Sequence, residues 1–347
     1  PTFMREKLFF ELSNVVGAPA PRVNYANVYM NNAYWGFYGL VEQVDDQFLD
    51  WAILDDNGNL FKAGDNFGGG NNAADLMNYG TNPTAYYNRY ELKTNETAND
   101  WTDLVELIQF INTSSAQTFA LDFETKVNKT PYLRSLALDV LFSNLDSYLN
   151  SARNYYIYHN LTSGMWEWIK WDGNEAFGVY SGGPGTGNLE QLAINYVAAN
   201  RPLISNVFNN PILYDDYKNE LCFILKNYFT NAYLDPKINE IKALISTHVY
   251  ADNGKMYSNA QFDQNIEQNI TGGGGPGGGT IYGLKSFITN RNAYISNQLS
   301  CAGTSILEME DENVNLAYPN PFENIIQLPL EIESFSLMDA TGRRLIS

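Results

Sequence analysis

The sequence predicts an α+β fold arranged in two lobes, and three observations lead to this prediction. Strand-like and helix-like segments are grouped along the chain rather than regularly alternated, which disfavours a parallel doubly wound sheet. A weak boundary near residue 100 separates a strand-rich part from a helix-rich part. The chain has 347 residues, of which 44% are hydrophobic, and this is enough for a substantial core. We therefore expect one main domain over residues 1–300.

The strand-rich part begins with an amphipathic helix and a β-hairpin. Apolar residues over 4–16 repeat at helical spacing, and Gly17 suits the position just past a helix end. Residues 23–30 and 34–42 are rich in aromatic and β-branched types and flank an Asn-Asn pair, which predicts a hairpin. After a short helix, the sequence DDNGNLFKAG predicts a turn and then a strand that carries Lys62.

The helix-rich part contains a second hairpin. Helices are predicted over about 101–142, 203–229 and 282–299. Asp235 and Pro236 predict the N-cap and the first residue of a further helix that ends near Val249. Between the first two helical regions, NYYIYHN and MWEWIKW predict two strands joined by a tight turn.

The composition excludes several functions. With 39 acidic and 21 basic residues the formal net charge is −18, and no Lys/Arg cluster offsets it, so we expect no nucleic-acid partner. The sequence lacks a run of 18 apolar residues, so we expect no membrane span. With only two histidines and two cysteines, zinc sites and histidine-dependent nucleophilic catalysis are disfavoured. Cys222 and Cys301 either form one disulfide in an exported protein or remain buried thiols.

Two aspartates bracket the second hairpin. Asp146 precedes its first strand and Asp172 follows its second. Because a hairpin folds back on itself, we expect these carboxylates to meet at its open end together with the amide of Asn154 or Asn150. Hard oxygen ligands of this kind suit Mg²⁺, Mn²⁺ or Ca²⁺. Protein kinases use the same order of parts, with an Asp, a nearby Asn and a second Asp before Phe-Gly. Solvated turn carboxylates are the other interpretation of this spacing.

Several segments, in order over nearly all of residues 1–300, resemble the CotH spore-coat kinase family. They are the segment 4–50, GNLFKAG, LDVLFSNLDSY, NYYIYHN, GMWEWIKWDGNEAFG and the late LKSFITNR. The resemblance implies an atypical, two-lobed protein-kinase-like fold. It also implies transfer of the γ-phosphoryl group of ATP to serine or threonine of a protein substrate, with Mg²⁺ or Mn²⁺ as the metal.

The resemblance assigns roles to individual residues. Asp146 matches the catalytic-loop aspartate, and Asp172 and Asn154 match the metal ligands. Lys62, on the predicted strand LFKAG, matches the lysine that contacts the ATP phosphates. These roles are expectations from the family pattern.

Two further residues are matched to the ATP site in the same way. Glu42 is expected to pair with Lys62 or to reach the metal, and Arg5 to contact phosphate or to form a structural ion pair. The chain departs from the family pattern WDxD at Asn174, where an amide replaces a carboxylate. It also begins where the family pattern is already under way, so we expect the domain to be truncated at its N-terminal end.

The last part of the chain is predicted to serve export. Residues 301–315 are expected to form an acidic linker, and residues 316–347 a short, partial β segment of the sorting type. YPNPF and the later DATGR resemble landmarks of the C-terminal sorting domain of the type IX secretion system. This resemblance implies a secreted or cell-surface protein of a Bacteroidetes-type bacterium, with a tail that the secretion machinery recognises.

Two functions are consistent with these observations. The first is a secreted atypical protein kinase that acts on a surface or coat-type protein. The alternative is a non-catalytic kinase-like surface module that binds a metal, a glycan or a partner protein. Asn174 favours the alternative, as do the 24 tyrosines and 6 tryptophans, some of which could line a glycan platform.

Overall fold

The computed structural model describes residues 1–64, 72–182, 187–271, 279–299, 301, 337–338 and 344–346. The chain divides into a compact unit over Pro1–Cys301 and a second unit over Ala302–Ser347. The first unit contains many helices together with antiparallel sheets, which confirms the predicted α+β class.

The helices account for most of the regular structure in the first unit. They are α1 (Arg5–Val15), α2 (Asp46–Ala52), α3 (Thr102–Thr113), α4 (Ala116–Lys126), α5 (Lys129–Leu141), α6 (Pro202–Asn209), α7 (Pro211–Asn227), α8 (Asn231–Ala251), α9 (Asn259–Glu267) and α10 (Leu284–Ser296). The long helical region predicted before residue 142 is therefore three consecutive helices. Leu133, Leu136 and Val140 of α5 are buried, as their spacing predicts.

Among the described residues of the first unit, the strands form three antiparallel sheets. They are β1 (Val23–Met30), β2 (Ala33–Val41), β3 (Leu60–Ala63), β4 (Tyr90–Leu92), β5 (Tyr155–Asn160), β6 (Met165–Lys170), β7 (Ile270–Thr271) and β8 (Thr280–Ile281). A four-stranded sheet has the order β4-β3-β5-β6, while β1-β2 and β7-β8 are separate pairs. In the larger sheet, β3 and β4 precede residue 100 and β5 and β6 follow it. The sheet therefore contains strands from both the strand-rich and the helix-rich part of the sequence.

The N-terminal elements match their predicted bounds. Helix α1 ends at Val15, and Gly17 has the positive φ of +76° that suits a residue beyond a helix end. Asn31 and Asn32, at the tip of the β1–β2 hairpin, have φ of 50° and 65°. Asparagine tolerates this left-handed conformation better than other residues with a side chain, which explains the Asn-Asn turn.

The start of α8 differs from the prediction. The helix begins at Asn231, and the side chain of Thr230 caps it by accepting a hydrogen bond from the Tyr233 backbone N–H. Pro236 therefore lies inside the helix instead of at its first position. The Thr230 cap and the burial of Leu234 stabilise a turn that precedes the proline. The helix start predicted from Asp235 and Pro236 was therefore wrong, because Thr230 supplies an N-cap five residues earlier.

The two faces of the four-stranded sheet are buried in different clusters. Phe61, Tyr155 and Ile157 belong to the main core. Leu60, Tyr156, Tyr158 and Ile169 join Phe48 and Leu49 of α2 in a smaller cluster. Because successive strand residues point to opposite faces, the sheet is covered on both sides and held firmly in place.

A disulfide joins Cys222 of α7 to Cys301, with 5.6 Å between the two Cα atoms. Of the two alternatives left open by the sequence, the structure has the disulfide. In the second unit, β9 (Leu337–Met338) pairs with β10 (Arg344–Ile346) in antiparallel fashion. The expected linker beyond Cys301, the YPNPF landmark and the DATG turn lie outside the described residues.

The disulfide yields a prediction about stability. It closes a sequence separation of 79 residues, so it restricts the unfolded chain strongly. Replacing both cysteines, as Cys222→Ala/Cys301→Ala, should lower the free energy of unfolding by about 2–4 kcal/mol. Urea denaturation of the oxidised wild type, the reduced wild type and the variant measures this. The reduced wild type should resemble the variant, and equal stability of all three would contradict the prediction.

Candidate active site

Antiparallel pairing brings most of the predicted site residues to one end of the four-stranded sheet. Lys62 is near the end of β3 and pairs with Tyr156, near the start of β5. Tyr155, the first residue of β5, pairs with Lys170, the last residue of β6. Asn154 therefore precedes β5 at the same end of the sheet at which Asp172 follows β6.

Asp146 lies in the segment that connects α5 to β5, and its carboxylate is held on both oxygens. Oδ1 accepts a hydrogen bond of 2.7 Å from Nε of Arg153 and a second, short one from Nη2. Oδ2 accepts a hydrogen bond of 3.0 Å from Nδ2 of Asn154. Asp146 is only 7% exposed, so these bonds fix its orientation in a largely buried position.

The amide of Asn154 has a defined orientation because of its partners. Its Nδ2 donates to the backbone carbonyl of Asp146 at 2.7 Å as well as to the carboxylate. Both partners are acceptors, so the nitrogen must face them. The remaining polar atom, Oδ1, is then the one that a cation could use.

Left-handed backbone conformations are concentrated around these residues. One segment, 143–154, carries Asp146, and the other, 172–177, begins with Asp172. The non-glycine residues with positive φ in these two segments are Ser143, Ala152, Asn154, Asp172 and Phe177, with φ between 45° and 63°. Such conformations are costly for residues with a side chain and persist only where the surroundings impose them. Their grouping in the two segments that carry Asp146 and Asp172 marks this end of the sheet as a candidate functional site.

Two further carboxylates accompany Asp172. Burial raises the pKa of Glu175, and the charges of Asp146 and Asp172 raise it further. Burial also raises the pKa of Glu6 to about 7, with the charge of Asp172 as the second cause. The charge of Asp172 therefore acts on both carboxylates, so the three groups lie near one another.

Helix α1 holds the Asp172 segment through a close contact at Gly173. The Gly173 backbone N–H donates to Oε1 of Glu6 at 3.0 Å. A side chain at Gly173 would bring its Cβ to 2.6 Å from the ring of Phe9. Glycine is therefore required at this position for α1 to lie against the turn that follows Asp172.

Lys62 lies beside this segment on the sheet. Its Nζ is 5.9 Å from the ring centroid of Trp171, the residue that precedes Asp172. This contact places a positive charge near the end of β6, on the face of the sheet that also carries Leu60.

Glu42 does not pair with Lys62. It forms an ion pair with Arg22, its Oε2 accepts a 3.0 Å hydrogen bond from the Arg22 backbone, and its Oε1 accepts a 3.1 Å hydrogen bond from Trp51 Nε1. The guanidinium of Arg22 also stacks on the Trp51 ring. The expected pairing with Lys62 is therefore corrected: the β1–β2 hairpin is a separate sheet, and Glu42 secures its base to α2.

Arg5 is buried in the interior. Its Nη2 donates to Oδ1 of Asn265 at 2.8 Å and to the carbonyl of Tyr282 at 2.6 Å. Its guanidinium lies 5.4 Å from the ring centroid of Phe177, and burial lowers its pKa to about 9. The partners of Arg5 among the described residues are neutral, so the expected structural ion pair is not among these contacts, and contact with phosphate stays a prediction.

The donor set fits a hard divalent cation. Asp172, Glu175 and the Asn154 amide oxygen are the kinds of ligand that Mg²⁺ and Mn²⁺ prefer. Within the described ranges, no group of three or more His, Cys, Asp or Glu side chains is arranged to hold a metal by itself. Mg²⁺ is usually bound by one or two carboxylates, with substrate phosphates and waters as the other ligands.

Sequence reasoning missed two residues of this site. Glu6 is 167 positions from Gly173, and no local pattern indicates their contact. Arg153, which binds Asp146, stands next to Asn154 in the sequence, so its position was a usable signal.

The α+β architecture, with its antiparallel sheet beside a set of helices, is consistent with a kinase-like fold. None of the described helices combines the length and hydropathy needed to span a membrane. The family model described as CotH kinase protein matches residues 1–295, so the chain belongs to the CotH kinase family. It is 28% identical over 302 residues to the inner spore coat protein H of Bacillus subtilis (strain 168), covering 86% of this chain and 76% of that protein.

The raised pKa of Glu6 yields a prediction about stability and pH. Its folded pKa of about 7 exceeds its ordinary value of 4.5, so stability is lost as the pH rises from about 4.5 through 7. The Glu6→Gln variant keeps the acceptor for Gly173 but carries no charge. At pH 8 without metal it should be more stable than the wild type by on the order of 1–2 kcal/mol, after allowance for solvent screening.

Urea denaturation between pH 4.5 and 8 measures this difference, which should vanish at the acidic end. Glu11→Gln, on the same helix, is the matched control, because Glu11 is 40% exposed and forms a surface pair with Lys7. If the free energy of unfolding varied with pH in the same way for the wild type and Glu6→Gln, the charge of Glu6 would not lower stability, and the prediction would be contradicted.

Proposed function

We propose that this protein is a secreted atypical protein kinase that transfers the γ-phosphoryl group of ATP to serine or threonine of a surface or coat-type protein. The observation that carries the proposal is the convergence of Asp146, Asn154 and Asp172 at one end of the sheet, with Lys62 beside them. Membership of the CotH kinase family supports it.

In the proposed reaction each residue has a distinct task. Asp146, held by Arg153, would orient the acceptor hydroxyl and take its proton. The acceptor oxygen forms the new bond to the γ-phosphorus while the bond to the β–γ bridging oxygen breaks, and ADP leaves. Lys62 would hold the phosphates, and Asp172 and Asn154 would hold Mg²⁺ or Mn²⁺. The bound metal would neutralise charge on the phosphate oxygens.

Charge and compartment indicate the kind of acceptor. A net charge of −18 favours a basic segment that contains serine or threonine. The Cys222–Cys301 disulfide supports an oxidising location such as the cell exterior. The Bacillus relative is named as an inner spore coat protein, so a structural surface protein is a reasonable acceptor class. Export through the type IX system remains a proposal based on the tail.

The experiment is a transfer assay with labelled ATP, Mn²⁺ and a lysine-rich peptide that contains serine and threonine. Asp172→Ala and Asp146→Asn should each lower the rate by about 100-fold or more, because each removes a group that acts on the reacting atoms. Asp215→Asn is the matched control, since Asp215 is 68% exposed on α7 and pairs only with a neighbouring lysine along the same helix. Transfer that survives unchanged in Asp172→Ala would refute the proposal.

One observation favours the alternative of a non-catalytic surface module. The β1–β2 hairpin exposes large apolar side chains: Val28, Tyr29, Met30, Tyr34, Trp35, Tyr38 and Leu40. Residues 23–41 contain no charged side chain, although the chain as a whole is strongly acidic. Exposed aromatic rings flanked by asparagines on an uncharged surface suit a neutral glycan.

Binding of a neutral soluble glucan, measured by calorimetry, tests this second function. Tyr29→Ser/Trp35→Ser should weaken binding by roughly tenfold or more, because each ring supplies exposed stacking area. The melting temperature should stay unchanged, since both side chains are more than half exposed. Leu121→Ser, at an exposed apolar residue on α4, is the control. Absence of glucan binding by the wild type would remove this function.

A further inference from the structure

We propose that the buried ion pair between Lys170 and Asp139 is a positioning device that sets Asp172 and Asn154 relative to Asp146. This inference rests on the proposed function, because it concerns the geometry in which these residues would hold a metal-bound nucleotide. Neither member of the pair is expected to touch the substrate.

The pair is almost fully enclosed. Lys170 and Asp139 side chains are 3% and 7% exposed, and Nζ lies 2.5 Å from Oδ2. Nζ also donates to the carbonyl of Ser135 at 2.7 Å, and it lies 5.2 Å from the ring centroid of Phe9. The ammonium group is thus surrounded by one helix of the core, α5, and by the helix α1 that holds the Asp172 segment.

Each partner leads directly to a different part of the site. Lys170 ends β6, two residues before Asp172, and it pairs across the sheet with Tyr155, which follows Asn154. Its backbone N–H donates to the carbonyl of Pro19 at 3.0 Å. The end of β6 is therefore fixed by a strand partner, a loop and an ion pair at once.

On the other side, Asp139 is tied to the Asp146 segment through Asn144. Nδ2 of Asn144 donates to Oδ1 of Asp139 at 3.1 Å, and the Asn144 backbone N–H donates to the Asp139 carbonyl at 2.8 Å. Asn144 stands two residues before Asp146. A continuous set of hydrogen bonds and one ion pair thus connects the two segments that carry the carboxylates.

Stability alone is a weak reason for such a pair. Two charges taken out of water cost more than their attraction returns in many proteins, and apolar residues of similar volume often stabilise as well or better. A buried pair can instead specify one arrangement among several compact ones, because an ammonium group in the core tolerates only a position next to its carboxylate. Here the pair specifies the spacing between the segment that carries Asp146 and the segment that carries Asp172.

The test replaces both charges with apolar groups, as Lys170→Met/Asp139→Leu, and measures melting temperature, Mn²⁺·ATP affinity and transfer rate. We expect a melting temperature within about 3 °C of the wild type. Affinity for Mn²⁺·ATP and the transfer rate should each fall by roughly tenfold or more, the usual effect of losing a residue that orients metal ligands. A purely structural pair would not separate stability from affinity in this way.

The matched control is Arg134→Met/Glu220→Leu. It removes an ion pair between α5 and α7, in which Nε of Arg134 lies 2.6 Å from Oε2 of Glu220. It should change neither affinity nor rate. A second variant, Asn144→Ala, leaves the ion pair intact but removes the side-chain hydrogen bond from Asn144 to Asp139, and it should also weaken Mn²⁺·ATP binding. If the double variant does not fold, the affinity of Asn144→Ala for Mn²⁺·ATP tests the inference.

The outcomes separate this inference from the proposed function. If both Lys170→Met/Asp139→Leu and Asn144→Ala kept the affinity for Mn²⁺·ATP and the transfer rate of the wild type, the inference would be overturned. The proposed function would still stand if Asp172→Ala were inactive. A wild type that binds Mn²⁺·ATP without transfer would overturn the function, and the binding measurements alone would then decide the inference. A wild type that neither binds nor transfers would overturn both.

Discussion

The antiparallel pairing of β5 with β3 and β6 is the constraint on which the candidate site depends. Its register places the end of β3, the start of β5 and the end of β6 at one edge of the sheet. Both faces of this sheet are buried. If the pairing register of one strand shifted by one residue, the side chains of that strand would therefore turn to the opposite face and no longer fit the core. Packing of the core therefore also determines where Lys62, Asn154 and Asp172 lie.

The segment that carries Asp146 has no such ladder, and buried polar side chains hold it instead. Arg201 donates to the carbonyl of Tyr148 at 2.9 Å and also to that of Asn150, both within this segment. Arg291, which is fully buried, connects the end of α5, just before the segment, to the backbone at Leu192, because it donates to the carbonyls of Val140 and Leu192. An irregular backbone in the interior leaves carbonyl groups that need donors, and a guanidinium supplies several in a fixed geometry. These arginines belong to the scaffold, and Arg291 explains the arginine at the end of LKSFITNR.

Electrostatics gives the site its chemical character. Carboxylates at this edge repel one another, and burial adds to the cost of their charge, as the raised pKa values of Glu6 and Glu175 show. Under the proposed function, a bound Mg²⁺ or Mn²⁺ would relieve both effects. The neighbouring ion pair of Lys170 with Asp139 adds no net charge to this edge, because its two charges balance each other.

The sequence by itself determined the α+β class, the bounds of α1 and of both hairpins, and the convergence of Asp146, Asn154 and Asp172. Those features follow from local periodicity, turn residues and the fact that a hairpin returns to its starting end. Only the tertiary structure decided that Glu42 pairs with Arg22 and that Glu6 reaches Gly173. Contacts between distant segments depend on how whole elements pack, and a single sequence carries no local signal of that packing.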